Sequence, residues 1–206
     1  MAKRQIYTTA KGVAMYPHLR KPETYEGQEI GLTIKLMLEA EETEKFKAFL
    51  MGEVEKAKSM PEYKGKSFAN PNIGLGETKD GDEYFKFKTK STFTNKQGET
   101  FKKTVPIYDS KGKPLPDNVE VGSGSIVRVA YSVNPYWKNK TMKGVTLYLE
   151  AVQVIQNLRS MVSKMQVLSA SVLKKTDMLW LMRKPLSRLS LVMKILKMEL
   201  TFNSHT

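Results

Sequence analysis

Between residues 84 and 155 the chain is a succession of short β-favouring stretches separated by turn residues, and this rhythm limits its possible folds more than any other feature. Phe85-Lys86-Phe87-Lys88-Thr89-Lys90 alternates apolar and polar positions with period two. In a strand, that places Phe85 and Phe87 on one face and Lys86, Lys88 and Lys90 on the other. Residues 84–93 and 101–108 read as strands flanking Asn95-Lys96-Gln97-Gly98, a hairpin turn. Asp109-Ser110-Lys111-Gly112-Lys113-Pro114 is a second turn. Residues 125–133 and 145–155 read as the last two strands, joined by a loop over residues 136–144.

Upstream, residues 5–16 are β-prone, closed by Pro17 and followed by a loop through Gly27. Residues 30–38 read as a strand with one mostly buried face. Phe46, Phe49, Leu50 and Val54 then recur at helical spacing among Glu and Lys, which predicts an amphipathic helix over 41–58. Pro61, Pro71, Gly65, Gly74, Gly76 and Gly81 mark residues 59–82 as loop. Five or six short strands, one helix and long loops describe a mainly β domain over residues 1–157. The expected architecture is a Greek-key barrel of the oligonucleotide-binding type, an OB-fold. A β-sandwich is the alternative.

The net charge of +13 favours a polyanionic partner, nucleic acid before anionic membrane. Lysine neutralises phosphate without reading sequence, and exposed aromatic rings stack on any base. The residues placed to do this are Lys86, Lys88 and Lys90, with Lys102 and Lys103 on the next strand and Arg128 near the edge of another. Tyr136 and Trp137, followed by Lys138, Asn139 and Lys140, supply stacking rings in a wet loop, one of which can instead plug the barrel. Tyr16 is a weaker stacking candidate, Tyr131 reads as core, and Lys3 and Arg4 extend the basic track. The alternative for the lysines is the ordinary solvent face of a strand.

Other chemistry has little support. Cysteine is absent, which removes disulfides and thiolate metal sites, and His18 and His205 lie far apart. Gly122-Ser123-Gly124-Ser125 lacks the Lys-Ser/Thr of a phosphate loop and reads as a turn. Glu41, Glu42, Glu44, Glu53 and Glu55 read as the solvated face of the helix. With no clustered Asp, Glu and His, the expectation is no enzyme, no cofactor and no metal. No apolar run long enough to span a membrane occurs, and the opening Met1-Ala2-Lys3-Arg4-Gln5 does not resemble a signal peptide.

Several local sequences resemble the single-stranded DNA-binding protein family of T-seven-like short-tailed phages. They are Phe85-Lys86-Phe87-Lys88, Tyr108-Asp109-Ser110-Lys111-Gly112-Lys113, Gly122-Ser123-Gly124-Ser125, Val129-Ala130-Tyr131-Ser132-Val133-Asn134-Pro135-Tyr136 and Leu147-Tyr148-Leu149-Glu150-Ala151-Val152. Ala2-Lys3 and Lys21-Pro22 resemble the family's opening. The likeness covers residues 1–157, while the central helix and following loop depart in length and content. It implies a non-enzymatic OB-fold protein in the cytoplasm of an infected bacterium. Such a protein coats single-stranded DNA during replication, recombination and repair, promotes annealing and forms a homodimer. It also implies contacts to the phage DNA polymerase and helicase-primase through an acidic C-terminal tail ending in an aromatic residue.

Residues 158–206 break that pattern. They carry nine basic residues and two acids, net +7 of the chain's +13, with six of the twelve methionines and no glycine. At face value this is a basic Met/Leu-rich helical appendage broken by Pro185, able to bind a partner groove, a membrane or duplex DNA. A basic structural protein acting through that tail is the alternative function. A sharper reading is a frameshifted acidic tail, because GAT and GAA read one base late give ATG and AAG, hence Met and Lys. Slid back one base, Met193-Lys194 forces Glu and Met198-Glu199 forces Gly. Residues 193–202 then permit Glu-Asp-Phe-Glu-Asp-Gly-Ala-Asp-Phe, and the next codon can only be stop or Gln.

Overall fold

The computed structural model describes residues 5–158; Lys3 and residues 159–206 of the tail lie outside them. The chain contributes β1 (Tyr7–Thr8), β2 (Gly12–Tyr25), β3 (Gln28–Met37), α1 (Ala40–Lys58), β4 (Leu75–Glu77) and β5 (Glu83–Thr89). It continues with β6 (Thr92–Thr94), β7 (Thr100–Lys102), β8 (Ile107–Tyr108), β9 (Ile126–Trp137) and β10 (Lys143–Gln156). Strands pair in the order β1-β9-β2-β3-β5-β10-β8, and β9 also pairs with β10. The path β9-β2-β3-β5-β10 therefore returns to β9, and five strands close a barrel. β5 and β10 run parallel, and the other pairs in the circuit are antiparallel. This is the OB-type Greek-key closure expected from the strand rhythm.

Alternation sorts the barrel into inside and outside. Leu32, Ile34 and Leu36 of β3, Phe85 and Phe87 of β5, Val127 and Val129 of β9 and Leu147 and Leu149 of β10 are all buried. The helix forms because Thr43, Phe46, Leu50, Val54 and Ala57, spaced three or four apart, make one buried stripe. Glu41 and Glu42 in its first turn and Lys56 and Lys58 in its last complement the helix dipole. Its acids are engaged with neighbouring lysines: Glu41 and Glu42 with Lys45, Glu44 with Lys47, Glu53 with Lys56 and Glu55 with Lys58. That is the solvated face expected of them. Phe46 drives into the barrel, its ring centroid 4.6 Å from that of Phe85 and 5.5 Å from that of Tyr131.

Four expected boundaries are corrected. Pro17 does not close the first strand: β2 runs on to Tyr25 and pairs with β3, absorbing Pro17 and Pro22 in register shifts on either side of His18. Tyr16 enters the left-handed region at φ 45° there, and its N–H donates to Ser123 Oγ, so the ladder irregularity leaves that amide bonded. Residues 59–82 are not all loop, because Leu75–Glu77 pairs with β5. Residues 84–93 and 101–108 are not two continuous strands. β5 ends at Thr89, a separate β6–β7 hairpin follows, and β8 rejoins the edge of β10 at Val152. Residues 136–144 shrink to a turn over 138–142, so Tyr136 and Trp137 belong to β9 and not to a loop.

Gly144 fastens the barrel to the loop that precedes β4. Asn72 N–H donates to the Lys143 carbonyl, and Val145 N–H donates to the Asn72 carbonyl. Gly144 sits at φ 141°, and a Cβ there would lie 1.9 Å from the Asn72 carbonyl oxygen. Only glycine fits so close an approach. Gly144→Ala is expected to cost about 1–3 kcal/mol in backbone strain alone. Chemical denaturation should show this as a lower midpoint, and an unchanged midpoint would mean the loop lifts away freely.

Candidate nucleic-acid interface

In an OB-fold the outer face of the second and third barrel strands, with the first-to-second and fourth-to-fifth connections, is where oligonucleotides lie. Those strands are β3 and β5, and the connections are the β2–β3 turn and the 138–142 turn. The register sets Lys35 of β3 beside Lys86 of β5, and Thr33 beside Lys88. Tyr148 of β10 lies beside Lys88 on the other side. Because Phe85 and Phe87 face the core, Tyr84, Lys86 and Lys88 face outward on the same strand, and Lys90 continues their alternation.

Aromatic rings stand among these cations. The Lys35 ammonium lies 4.7 Å from the ring centroid of Tyr84 and 5.4 Å from that of Tyr16, which is half exposed. Lys35, Tyr84 and Tyr148 were not anticipated as site residues. Lys35 fell in a segment read only for its buried face, and the signal that could have revealed it was the same alternation, Leu32, Ile34 and Leu36 in, Lys35 out.

One lysine of the row is already occupied. Lys86 Nζ donates to Glu23 Oε2 at 2.9 Å, and Thr33 Oγ1 donates to the same oxygen at 2.8 Å. Partial burial pushes the Glu23 carboxyl up, but the Lys86 and Thr33 hydrogen bonds outweigh it, aided by the charges of Lys86 and His18. The net shift is below the ordinary glutamate range. A carboxyl held low in the folded state stabilises it fully at neutral pH, and that contribution is lost as pH falls through the folded value. Lys88 and Lys90 are exposed and have no ionic partner among the described residues.

The remaining expected residues divide between this face and elsewhere. Lys102 lies on β7, exposed, and that strand pairs only with β6, so it is not a barrel neighbour of β5. Lys103 is half-buried and its Nζ donates to Thr89 Oγ1 at 2.7 Å, pinning the hairpin base. Arg128 is exposed on β9 opposite Gln153, beside a cavity of about 320 Å³ that Tyr108 also lines. Lys138 and Lys140 are exposed in the 138–142 turn. Tyr136 is half-buried, and burial pushes its phenol up. Trp137 is half-buried too: its indole N–H donates to the Ser67 carbonyl at 3.1 Å, and Lys66 covers the ring at 5.2 Å. Tyr131 is core, 3 % exposed. Among the described residues no group of three or more His, Asp or Glu side chains is placed to hold a metal ion.

Comparison with known proteins agrees with this fold. A family model described as single-stranded DNA-binding protein, bacteriophage T7, matches residues 25–157. The single-stranded DNA-binding protein of Enterobacteria phage T3 is 28 % identical over 179 aligned residues, 75 % of this chain and 77 % of that protein. That of Escherichia phage T7 is 38 % identical over 79 residues, 37 % of this chain, so the aligned part spans about a third (34 %) of the T7 protein. The crystal structure of gp2.5, the T7 single-stranded DNA-binding protein, superposes with a TM-score of 0.61 at 26 % identity, covering 75 % of this chain and 88 % of that one. The bacteriophage Enc34 single-stranded DNA-binding protein in complex with single-stranded DNA shares the fold, with a TM-score of 0.54 at 15 % identity over 73 % of this chain and 86 % of that one. With more than half its length matched in this way, the chain belongs to the family of the bacteriophage T7 single-stranded DNA-binding protein.

Proposed function

We propose that the outer face of β3 and β5 binds single-stranded DNA without sequence preference. The observation that carries this reading is the juxtaposition of Lys35, Lys86 and Lys88 with Tyr16 and Tyr84 on the face an OB-fold uses for oligonucleotides. Lys35, Lys88 and Lys90 neutralise phosphates along the strand, and Lys138 and Lys140 extend the path over the 138–142 turn. Tyr16 and Tyr84 offer rings to bases, and Tyr136 and Trp137 contribute only the edges that their packing leaves open. Arg128 and Lys102 lie at the margins of the path, and Lys103 acts through the hairpin it holds. The protein binds and does not catalyse. Its place is DNA replication and recombination in the cytoplasm of an infected cell, with annealing as the consequence of coating exposed strands.

Titration of the full chain and of a 1–157 fragment with labelled single-stranded and duplex oligonucleotides across a salt series tests the reading. Both should bind single strands tightly, with a steep salt dependence and a clear preference over duplex. Equal binding to the two forms would reduce the interface to generic basicity. The family match stops at residue 157, which supports residues 158–206 as a frameshifted acidic tail. In frame, that tail would reach the polymerase and helicase-primase and support a homodimer. The nucleotide sequence around codons 157–161 tests this: an open acidic reading frame one base back is expected, and a stop-filled one rules it out.

Glu23 adds a sharper expectation. It neutralises Lys86 in the free protein, so bound phosphate must compete with it. Glu23→Gln should tighten single-strand binding and steepen the salt slope by up to about 0.7, the value of one further phosphate contact. Weaker binding by Glu23→Gln would show that the pair positions Lys86 and does not mask it.

A further inference from the structure

The β6–β7 hairpin belongs to no part of the barrel. The chain leaves β5 at Thr89, runs out through Thr92–Thr94, turns, returns through Thr100–Lys102, and rejoins the barrel at β8. These strands pair only with each other. An isolated two-stranded hairpin is marginal in water, and this one is held at both ends. At its base, Lys103 N–H donates to the Ser91 carbonyl, and Lys103 Nζ donates to Thr89. At its tip, Asn95 Oδ1 accepts from the backbone of Gln97 and Glu99, and Asn95 Nδ2 donates to Glu99.

On this pinned arm Phe93 and Phe101 are direct cross-strand partners. Their rings stack at 5.3 Å and 23°, yet they remain 53 % and 44 % exposed. Two half-exposed phenylalanines forgo a large part of the burial that a core position would give them. Nothing in the fold of residues 5–158 recovers it. Where the arm begins, the Ser91 hydroxyl donates to Glu29 at the start of β3. The arm is thus rooted at the start of β3, and Lys90, which continues the basic row, directly precedes it. Lys90, Lys96, Lys102 and Lys103 against Glu99 make residues 90–104 net positive.

We propose that Phe93 and Phe101 form a base-stacking clamp, closing on single-stranded DNA as it leaves the β3–β5 face. The inference rests on that face binding DNA. A cationic arm repels a like-charged arm and attracts a phosphate chain, so the charge around the rings selects a nucleic acid over a second copy of the hairpin. Bases offer π-faces without regard to sequence, which suits a stacked phenylalanine pair.

The test uses the full chain and compares Phe93→Ala/Phe101→Ala with Phe93→Tyr/Phe101→Tyr on a labelled oligothymidylate, on the same length of abasic strand, and by sedimentation velocity. The alanine pair should lose about tenfold to a hundredfold in affinity for oligothymidylate while its salt slope stays that of the parent, since no phosphate contact is removed. The tyrosine pair should bind like the parent, and parent and alanine pair should bind the abasic strand equally. Parent-like affinity of the alanine pair on oligothymidylate overturns the clamp while leaving the β3–β5 reading intact. So does an equal loss on both strands, or a change confined to the sedimentation coefficient, which would make the hairpin a self-association arm. A parent protein without salt-steep single-strand binding would remove the underlying reading, and the clamp with it.

Discussion

Phe46→Ala is expected to destabilise the barrel by about 3–5 kcal/mol, the usual cost of removing a buried phenylalanine. The ring sits where helix and barrel meet, 8 % exposed, edge-on to Phe85 and Tyr131 and tilted over Phe87 at 6.3 Å. Aromatic pairs of this geometry add about 0.5–1.5 kcal/mol beyond the area they bury, so several contacts are lost in one substitution. Leu50 and Val54 on the same stripe are fully buried, and their neighbours cannot collapse into the space without bending α1. A domain of this size has about 5–15 kcal/mol of stability in all. The midpoint of thermal unfolding should therefore fall by roughly 10 °C or more. Phe46→Leu keeps most of the volume and should cost less than Phe46→Ala, though it still loses the ring pairs. Equal losses for leucine and alanine would mean the ring geometry, and not the volume, holds helix to barrel.

Phe46 also shows what was legible in the sequence. Its spacing with Phe49, Leu50 and Val54 is a local signal, readable within two turns of helix, and α1 forms where that signal stands. The same holds for Phe85 and Phe87 against Lys86 and Lys88, and for the turn at Asn95–Gly98. A period-two or period-3.6 pattern needs no knowledge of the partner. What the sequence could not show is set by pairing across long separations. Pro17 reads as a stop, but β3 and Ser123 supply partners on either side of it, and β2 continues. Tyr136 and Trp137 read as loop, yet Gly144 and Lys143 of β10 extend the ladder to include both. The site follows the same rule. Lys86, Lys88 and Lys90 were found by alternation alone, whereas the pairing of Lys86 with Glu23 spans 63 positions and the placement of Lys35 beside Tyr84 needs the β3–β5 register. Trp137, the most conspicuous aromatic in the sequence, is the one the 59–74 segment partly covers, through Ser67 and Lys66.

Lys35→Ala/Lys88→Ala/Lys90→Ala should have the largest effect on binding. Each residue is a cation on the β3–β5 face with no carboxylate partner among the described residues. On a single strand each phosphate contact contributes about 0.7 to the salt slope, so three together remove about 2. With affinities converging near 1 M salt, that slope corresponds to about a 500-fold loss at 50 mM and about 30-fold at 200 mM. The loss must shrink as salt rises, because it is counterion release that disappears and not a stacking contact. Lys86→Ala alone should cost less than Lys88→Ala, since Lys86 gives up Glu23 before it can take a phosphate. Titrations at four salt concentrations decide the matter. A constant fold-loss at every salt would mean that the lysines shape the face without touching the backbone. An unchanged slope with unchanged affinity would move the DNA path off β3 and β5 altogether, toward Arg128 and the cavity beside Tyr108.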